Sequence, residues 1–189
     1  MLRLFVAVDL PAQLRDEMAQ LMGQVHHARW VNAQQLHITL RFLGDTPDTD
    51  LPWISDRLAA IKADHFSLRL RGAGVFPESH ARKIRKPPKV LWVGIEPTMD
   101  LARLKQAIDA ATIVDLTHER QVFSPHLTLA RFPSPPDHTL SDFLMKYQSY
   151  ASPDWSVTSF HLYRSTLRPE GAIHALLASY PLAQPERKE

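Results

Sequence analysis

Apolar and polar positions along the chain follow two rhythms, one of period two and one of three to four. Leu2 to Leu10 alternates and is rich in Val and Phe, which predicts a first strand. Pro11 opens a helical pattern in which Leu14, Met18, Leu21, Met22 and Val25 recur at three and four. Trp30 and Val31 lead into a second strand, Leu36 to Leu43, which Gly44 and Asp45 are expected to stop. Leu51 to Ile61 predicts a second helix through Leu51, Ile54, Leu58 and Ile61, with Pro52 tolerated in its first turn. Phe66 to Leu70 alternates as a strand, and the segment Gly72 to Pro77 is expected to break it. Val90 to Ile95 reads as a strand, and Leu101, Leu104, Ala107 and Ile108 mark a third helix. A further strand begins after Ser124-Pro125 and is ended by Pro133, Pro135 and Pro136. Leu140 to Tyr147 predicts a short helix, and Ser156 to Arg164 and Ala172 to Ser179 predict closing strands around a turn at Arg168 to Gly171.

The element order is therefore β-α-β-α-β-β followed by α-β-α-β-β. One four-residue word recurs in it: His37-Ile38-Thr39-Leu40 and His126-Leu127-Thr128-Leu129, 89 positions apart. The match extends to an Arg-Phe pair, Arg41-Phe42 in one copy and Arg131-Phe132 in the other. An old duplication giving two lobes related by an approximate two-fold accounts for this, with period far longer than that of a solenoid. Strands close together in sequence favour a mainly antiparallel α+β arrangement. At 189 residues the chain is read as one bilobal domain, 1–189, with outer helices on the two sheets.

Composition narrows the function classes. Hydrophobic residues make up 44% of the chain and charged ones 22%, enough apolar material for a core at this length. There are no cysteines, so disulfides, thiolate metal sites and a Cys nucleophile are excluded. No apolar run is long enough to cross a membrane as a helix, and MLRLFVAVDLP reads as a strand rather than a signal peptide. A cytoplasmic monomer is expected. The net charge of +2 suits an anionic ligand without arguing for a general nucleic-acid coat. Basic residues nonetheless concentrate in a loop at 78–89, as Arg82, Lys83, Arg85, Lys86 and Lys89, either as a solvated loop or as a flap beside a phosphate-bearing substrate.

In a strand, residues two apart share a face, so each motif copy presents one imidazole and one hydroxyl side by side. Zinc held by two imidazoles wants a further ligand, and neither motif strand carries a carboxylate. A Thr nucleophile would need an orienting acid, and no nucleophile elbow is visible. Paired imidazoles acting as base and acid remain, since imidazole titrates near neutrality and one neutral and one charged ring can coexist. Threonine hydroxyls suit the non-bridging oxygens of a phosphate. Opposed imidazoles fit in-line displacement at phosphorus, and a 2',3'-cyclic phosphate, which requires a ribose 2'-hydroxyl, is a fitting target.

Together, RLFVAVDLP, Trp30-Val31 before HITLRFLG, GAGVFP, VLWVGIE and SPHLTLARF resemble the 2H phosphoesterase superfamily, named for two HxTx motifs. Within it the chain is most similar to the RNA 2',3'-cyclic phosphodiesterase branch, also known as 2'-5' RNA ligase-like. That resemblance implies a two-lobed fold with the histidines facing each other across a cleft. It implies His37 and His126 as the catalytic pair, Thr39 and Thr128 as phosphate-holding groups, and no cofactor or metal. It implies RNA or an oligonucleotide with a 2',3'-cyclic phosphate end as substrate and a 2'-phosphate as product, with His37 as acid and His126 as base. A 2'-5' ligase activity from the same site and a non-catalytic RNA-end-binding module are the alternatives. Arg131 and Arg41 are candidate substrate contacts, although strict alternation puts Arg131 opposite His126 and Thr128 unless a bulge intervenes, while Arg41 shares the parity of His37 and Thr39. Phe42, Phe132 and Trp30 are expected in the core, and His174, where the family often has an aromatic, is read as structural.

Overall fold

In the computed structural model, residues 1–77, 87–112, 123–169 and 171–184 are described. Of the basic loop, Arg82, Lys83, Arg85 and Lys86 lie outside these residues, and Lys89 is exposed. Ten strands and four helices run β1 (Leu2–Asp9), α1 (Ala12–Ala19), β2 (Arg29–Trp30), β3 (His37–Thr46), α2 (Leu51–Ala59), β4 (Phe66–Leu68), β5 (Leu70–Phe76), β6 (Val90–Ile95), α3 (Met99–Thr112), β7 (His126–Arg131), α4 (His138–Tyr147), β8 (Trp155–Val157), β9 (Ser159–Arg168) and β10 (Gly171–Pro181) among the described residues. All named strands pair antiparallel. The main sheet is open, in the order β10-β9-β1-β3-β7-β6-β5, with β2 alongside β7, and β4 and β8 form a separate pair.

The duplication is intertwined. β1-α1-β3-α2-β4-β5 corresponds to β6-α3-β7-α4-β8-β9, yet β9 sits beside β1 while β5 sits beside β6, so the repeats exchange their last strands. Among the pairs that join the repeats, two set a residue opposite its own copy: Ile38 opposite Leu127 in the main sheet, and Ser67 opposite Ser156 in the small one. Each pair is 89 positions apart, the same offset as the motif. A residue paired with its own copy lies on the two-fold axis, so the approximate axis runs through both places. The helices follow the exchange. Arg57 of α2 donates to the carbonyls of Ala110 and Ala111 on α3, whereas Tyr150 after α4 donates to Glu17 of α1 at 2.7 Å.

One sheet face is apolar and covered by these helices. Leu4, Val6, Val8, Ile38, Leu40, Leu91, Val93, Leu127 and Leu129 are buried there with Leu58, Leu104, Ile108 and Phe143 from the helices. The other face of the central strands carries His37, Thr39, His126 and Thr128, all only half-buried.

Three sequence expectations change. α1 stops at Ala19, although Leu21 and Val25 are buried as the helical pattern requires. Beyond it the bonds tighten to Leu21 N–Met18 O and Met22 N–Ala19 O, and Gly23 turns the chain at φ 84°. β3 runs through Gly44 to Thr46, because Gly44 at φ 74° lies beside a register irregularity rather than a chain reversal. The segment from Gly72 is a strand, β5, not a break. Gly72, at φ 65°, takes up a register shift against β6, and Gly74 lies under the Trp92 ring, where a Cβ would come within 2.3 Å of ring carbons. These glycines make room within a sheet, the other use of glycine in a strand.

Ile38 and Leu127 are fully buried at the joint. Truncating Leu127 to Ala removes apolar contact where only one residue pair holds β3 to β7, and it should cost about 2–5 kcal/mol of unfolding free energy in urea titrations; a change below about 0.5 kcal/mol would contradict the role given to this joint.

Candidate active site

Antiparallel register about Ile38 and Leu127 sets His37 across from Thr128 and Thr39 across from His126. Two imidazoles and two hydroxyls therefore form a square on the face opposite the core. The sequence brings these four together through a single cross-strand pair.

Both histidines are anchored alike. His37 Nδ1 lies 2.7 Å from the Gln35 carbonyl oxygen, and His126 Nδ1 lies 2.8 Å from that of Ser124. A carbonyl only accepts, so Nδ1 carries a proton in each ring. In the neutral form Nε2 then bears the lone pair, and in the cation it bears the transferable proton. Neither Nε2 has a hydrogen-bond partner among the described residues, and neither is buried. The two backbone carbonyls, each two residues before the motif, thus fix ring orientation and tautomer together.

The surroundings differ. His37 stands in an aromatic box: Phe5 at 4.8 Å between ring centroids, His174 edge-on at 5.2 Å and Tyr163 at 6.4 Å. Burial there pushes its pKa below the ordinary imidazole value; the Gln35 carbonyl and the Asp9 carboxylate oppose this, and the charges of His126 and Arg131 add to it. His126 meets Phe76 at 5.0 Å and Trp92 at 6.5 Å. His174 is lowered to about 4 by burial and then by His37, so it is neutral at physiological pH. Its Nδ1 is buried with no partner among the described residues.

Two bulges decide where the arginines point. On β7, Trp92 pairs with Thr128 and Leu91 with Ala130, so one residue, Leu129, is extra. Leu129 and Ala130 are both buried, and Arg131 is turned onto the face of His126 and Thr128, where it is exposed. The bulge that alternation demanded is present. β3 has the same bulge: Ala7 pairs with Thr39 and Val6 with Arg41, leaving Leu40 extra. Arg41 is thereby turned to the helix face, contrary to its parity in the sequence. Its guanidinium bonds Asp109 of α3 at 2.6 Å, and Lys105 shares that carboxylate. Phe42, expected in the core, takes the position equivalent to Arg131. It pairs with Phe5 across the strands and is 72% exposed. Phe132 is buried as expected, and Trp30 is half-buried against Phe143 at 6.3 Å. The repeated Arg-Phe dipeptide is thus not a structural equivalence, because the second copy has Ala130 inserted.

Sequence reasoning missed Asp9, Tyr163 and His161, which share the cleft face beside His37. Tyr163 donates to both Asp9 carboxylate oxygens at 2.9 and 2.8 Å, and His161 Nε2 lies 3.8 Å from Asp9. No spacing signal links positions 9, 161 and 163; only the return of β9 to β1 does. Among the described residues no three His, Cys, Asp or Glu side chains cluster as a metal cage, and no helix is long and apolar enough to cross a membrane.

The family model for the 2'-5' RNA ligase superfamily matches residues 10–168. The chain belongs to this superfamily, that of the 2H phosphoesterases. An RNA 2',3'-cyclic phosphodiesterase of Archaeoglobus fulgidus is 29% identical over 177 residues, covering 92% of this chain and 96% of the relative. That of Thermus thermophilus is 31% identical over 195 residues, covering 96% and 90%. The crystal structure of E. coli LigT complexed with 3'-AMP superposes with a TM-score of 0.74 at 26% identity, over 97% of this chain and 99% of that one. Fold and family therefore agree with the bilobal antiparallel α+β arrangement expected from the motif.

The anchoring makes a spectroscopic prediction. Long-range ¹⁵N–¹H correlation at alkaline pH should find His37 and His126 both as the Nδ1–H tautomer, with His37 titrating below the ordinary histidine value and His174 at about 4. An Nε2–H tautomer at either motif histidine would contradict the geometry.

Proposed function

We propose that the chain is a metal-independent RNA 2',3'-cyclic phosphodiesterase that opens a terminal cyclic phosphate to a 2'-phosphate. The observation that carries this reading is the square of two Nδ1-anchored imidazoles and two threonines around the approximate two-fold. In-line displacement needs a base on one side of phosphorus and an acid on the other, and a two-fold site offers one imidazole to each. His126 Nε2 takes a proton from the attacking water as the new P–O bond forms. His37 Nε2 gives its proton to the 3'-oxygen as the P–O3' bond breaks, leaving a 3'-hydroxyl and a 2'-phosphate. His37 regains a proton and His126 loses one before the next turnover.

Thr39 and Thr128 donate to the non-bridging oxygens, where charge builds in the transition state. Arg131, on the same face, adds a guanidinium suited to those oxygens. Arg41 is assigned a structural part instead, tying the motif strand to α3 through Asp109. Relatives carrying the name RNA 2',3'-cyclic phosphodiesterase support the substrate class, and the E. coli neighbour complexed with 3'-AMP supports nucleotide binding in this fold. Ligation to a 2'-5' linkage is the reverse of the same chemistry with an RNA hydroxyl in place of water. The abundance of water and the absence of a phosphate-binding P-loop motif favour hydrolysis.

His37→Ala and His126→Ala should each lower kcat/KM on a 2',3'-cyclic-phosphate oligonucleotide by about 10²–10⁴-fold with the fold retained by circular dichroism. Near-normal turnover in either would reject the paired mechanism. Arg131→Ala should weaken turnover roughly tenfold or more, since a charged hydrogen bond is worth about 1.5–3 kcal/mol, whereas Arg41→Lys should leave KM nearly unchanged. EDTA should have no effect; loss with EDTA and recovery with zinc would restore a metal mechanism. The product end, resolved by chromatography, should be a 2'-phosphate.

A further inference from the structure

The lobes differ most consequentially beside the histidines themselves. On β1, Asp9 pairs with His37; on β6, Gly94 pairs with His126. These are equivalent positions, because each is the neighbour-strand partner of its motif histidine. One histidine therefore has a carboxylate across the strand pair, and the other has no side chain there at all. Gly94 is also held to glycine, since a Cβ would lie 2.7 Å from the Arg71 carbonyl oxygen. The difference is built into the packing of both lobes.

Asp9 is itself held in place. Tyr163 donates its hydroxyl to both carboxylate oxygens, and burial followed by these contacts raises the phenol's pKa, so it stays a donor. His161, whose pKa burial lowers while Asp9 opposes the shift, lies between Ser159 at 3.2 Å, Ser179 at 2.9 Å and Asp9. The Asp9 carboxylate acts on His37 through space. His37 Nδ1 is committed to Gln35, and Nε2 faces the cleft. The other titratable or charged groups around His37 are His126 and Arg131 on β7, Tyr163 on β9 and His174 on β10. Of these groups, those on β7 oppose a charge on His37 and His174 is neutral. Among the described residues, Asp9 alone supplies negative charge there.

We propose that Asp9, fixed by Tyr163, is a positioning residue that favours the protonated form of His37 against the burial around it, and that the Asp9/Gly94 difference is what divides the acid and base duties. Without it, only the Gln35 carbonyl opposes the burial of an imidazole enclosed by Phe5, Tyr163 and His174, and the ring is a less ready proton donor near neutral pH. The proposal rests on the reading of His37 as the acid. Its field on His37 exists whether or not that reading holds.

Two measurements on the full chain test it. First, histidine NMR titration without substrate: Asp9→Asn should move the His37 pKa down by about half a unit or more, Tyr163→Phe should move it down by less, and His126 should hardly move. Second, the pH profile of kcat/KM: an acid must be protonated, so activity falls as pH rises through the His37 pKa. In Asp9→Asn this alkaline limb should shift to lower pH by the same amount, while the acidic limb stays and activity at its lower optimum is largely kept. An unchanged His37 titration in a folded variant overturns the proposal, as does a pH-independent loss of kcat. Should Asp9→Asn fail to fold, Tyr163→Phe carries the same expected direction and the same contrary result. Wild-type protein that turns over no cyclic phosphate would reject the proposed function, and the NMR titration would still decide the Asp9 effect.

Discussion

A single cross-strand pair, Ile38 against Leu127, is the constraint on which the site depends. Among the described residues it is the one pair between β3 and β7, and both side chains are fully buried under the helices. Because each residue faces its own copy, the approximate two-fold passes between them. Alternation then sends the flanking histidines and threonines to the other face as two matched half-sites. A slip of one residue would bury the imidazoles and expose Ile38 and Leu127, so the apolar core enforces the register of the two histidines and two threonines. Beyond that pair the strands part, and β7 takes β2 as its neighbour near Arg131.

Symmetry alone would make two equivalent imidazoles, which is of little use for a reaction needing one acid and one base. The structure departs from symmetry in three places around the square. Arg131 stands where the first lobe has Phe42, so one side offers charge and the other an exposed aromatic ring. His37 is enclosed by Phe5, Tyr163 and His174, whereas His126 has Phe76 and Trp92. Asp9 faces His37 where Gly94 faces His126. A duplicated motif supplies the pair of groups, and the unduplicated neighbours give them different surroundings.

The sequence carried the motif strands, the helices at 51–59, 99–112 and 138–147 and the β6 strand plainly, because each is a local rhythm set by the face it buries. Face assignments failed just beyond the motifs. One extra residue in each strand, Leu40 and Leu129, inverts the side chains that immediately follow, and a run of two apolar residues is too short a signal to reveal it. Hence Arg41 belongs with Asp109, and Phe42 lies in the open. The Gly72–Phe76 strand was hidden for a different reason: its glycines answer to Trp92 and a bulge, contacts made by residues far along the chain. Asp9 and Tyr163 were equally illegible, since they meet only through the exchange of the final strands.

The division of labour between the two imidazoles is the central claim, and a bridging-sulfur substrate tests it most directly. A 2',3'-cyclic phosphorothiolate with sulfur at the 3' position has a leaving group that departs without a proton. Assayed against the oxygen substrate, it should restore most of the turnover lost in His37→Ala and little of that lost in His126→Ala. Equal failure of both variants on the sulfur substrate, or rescue of His126→Ala instead, would contradict the assignment of the acid to His37 and the base to His126.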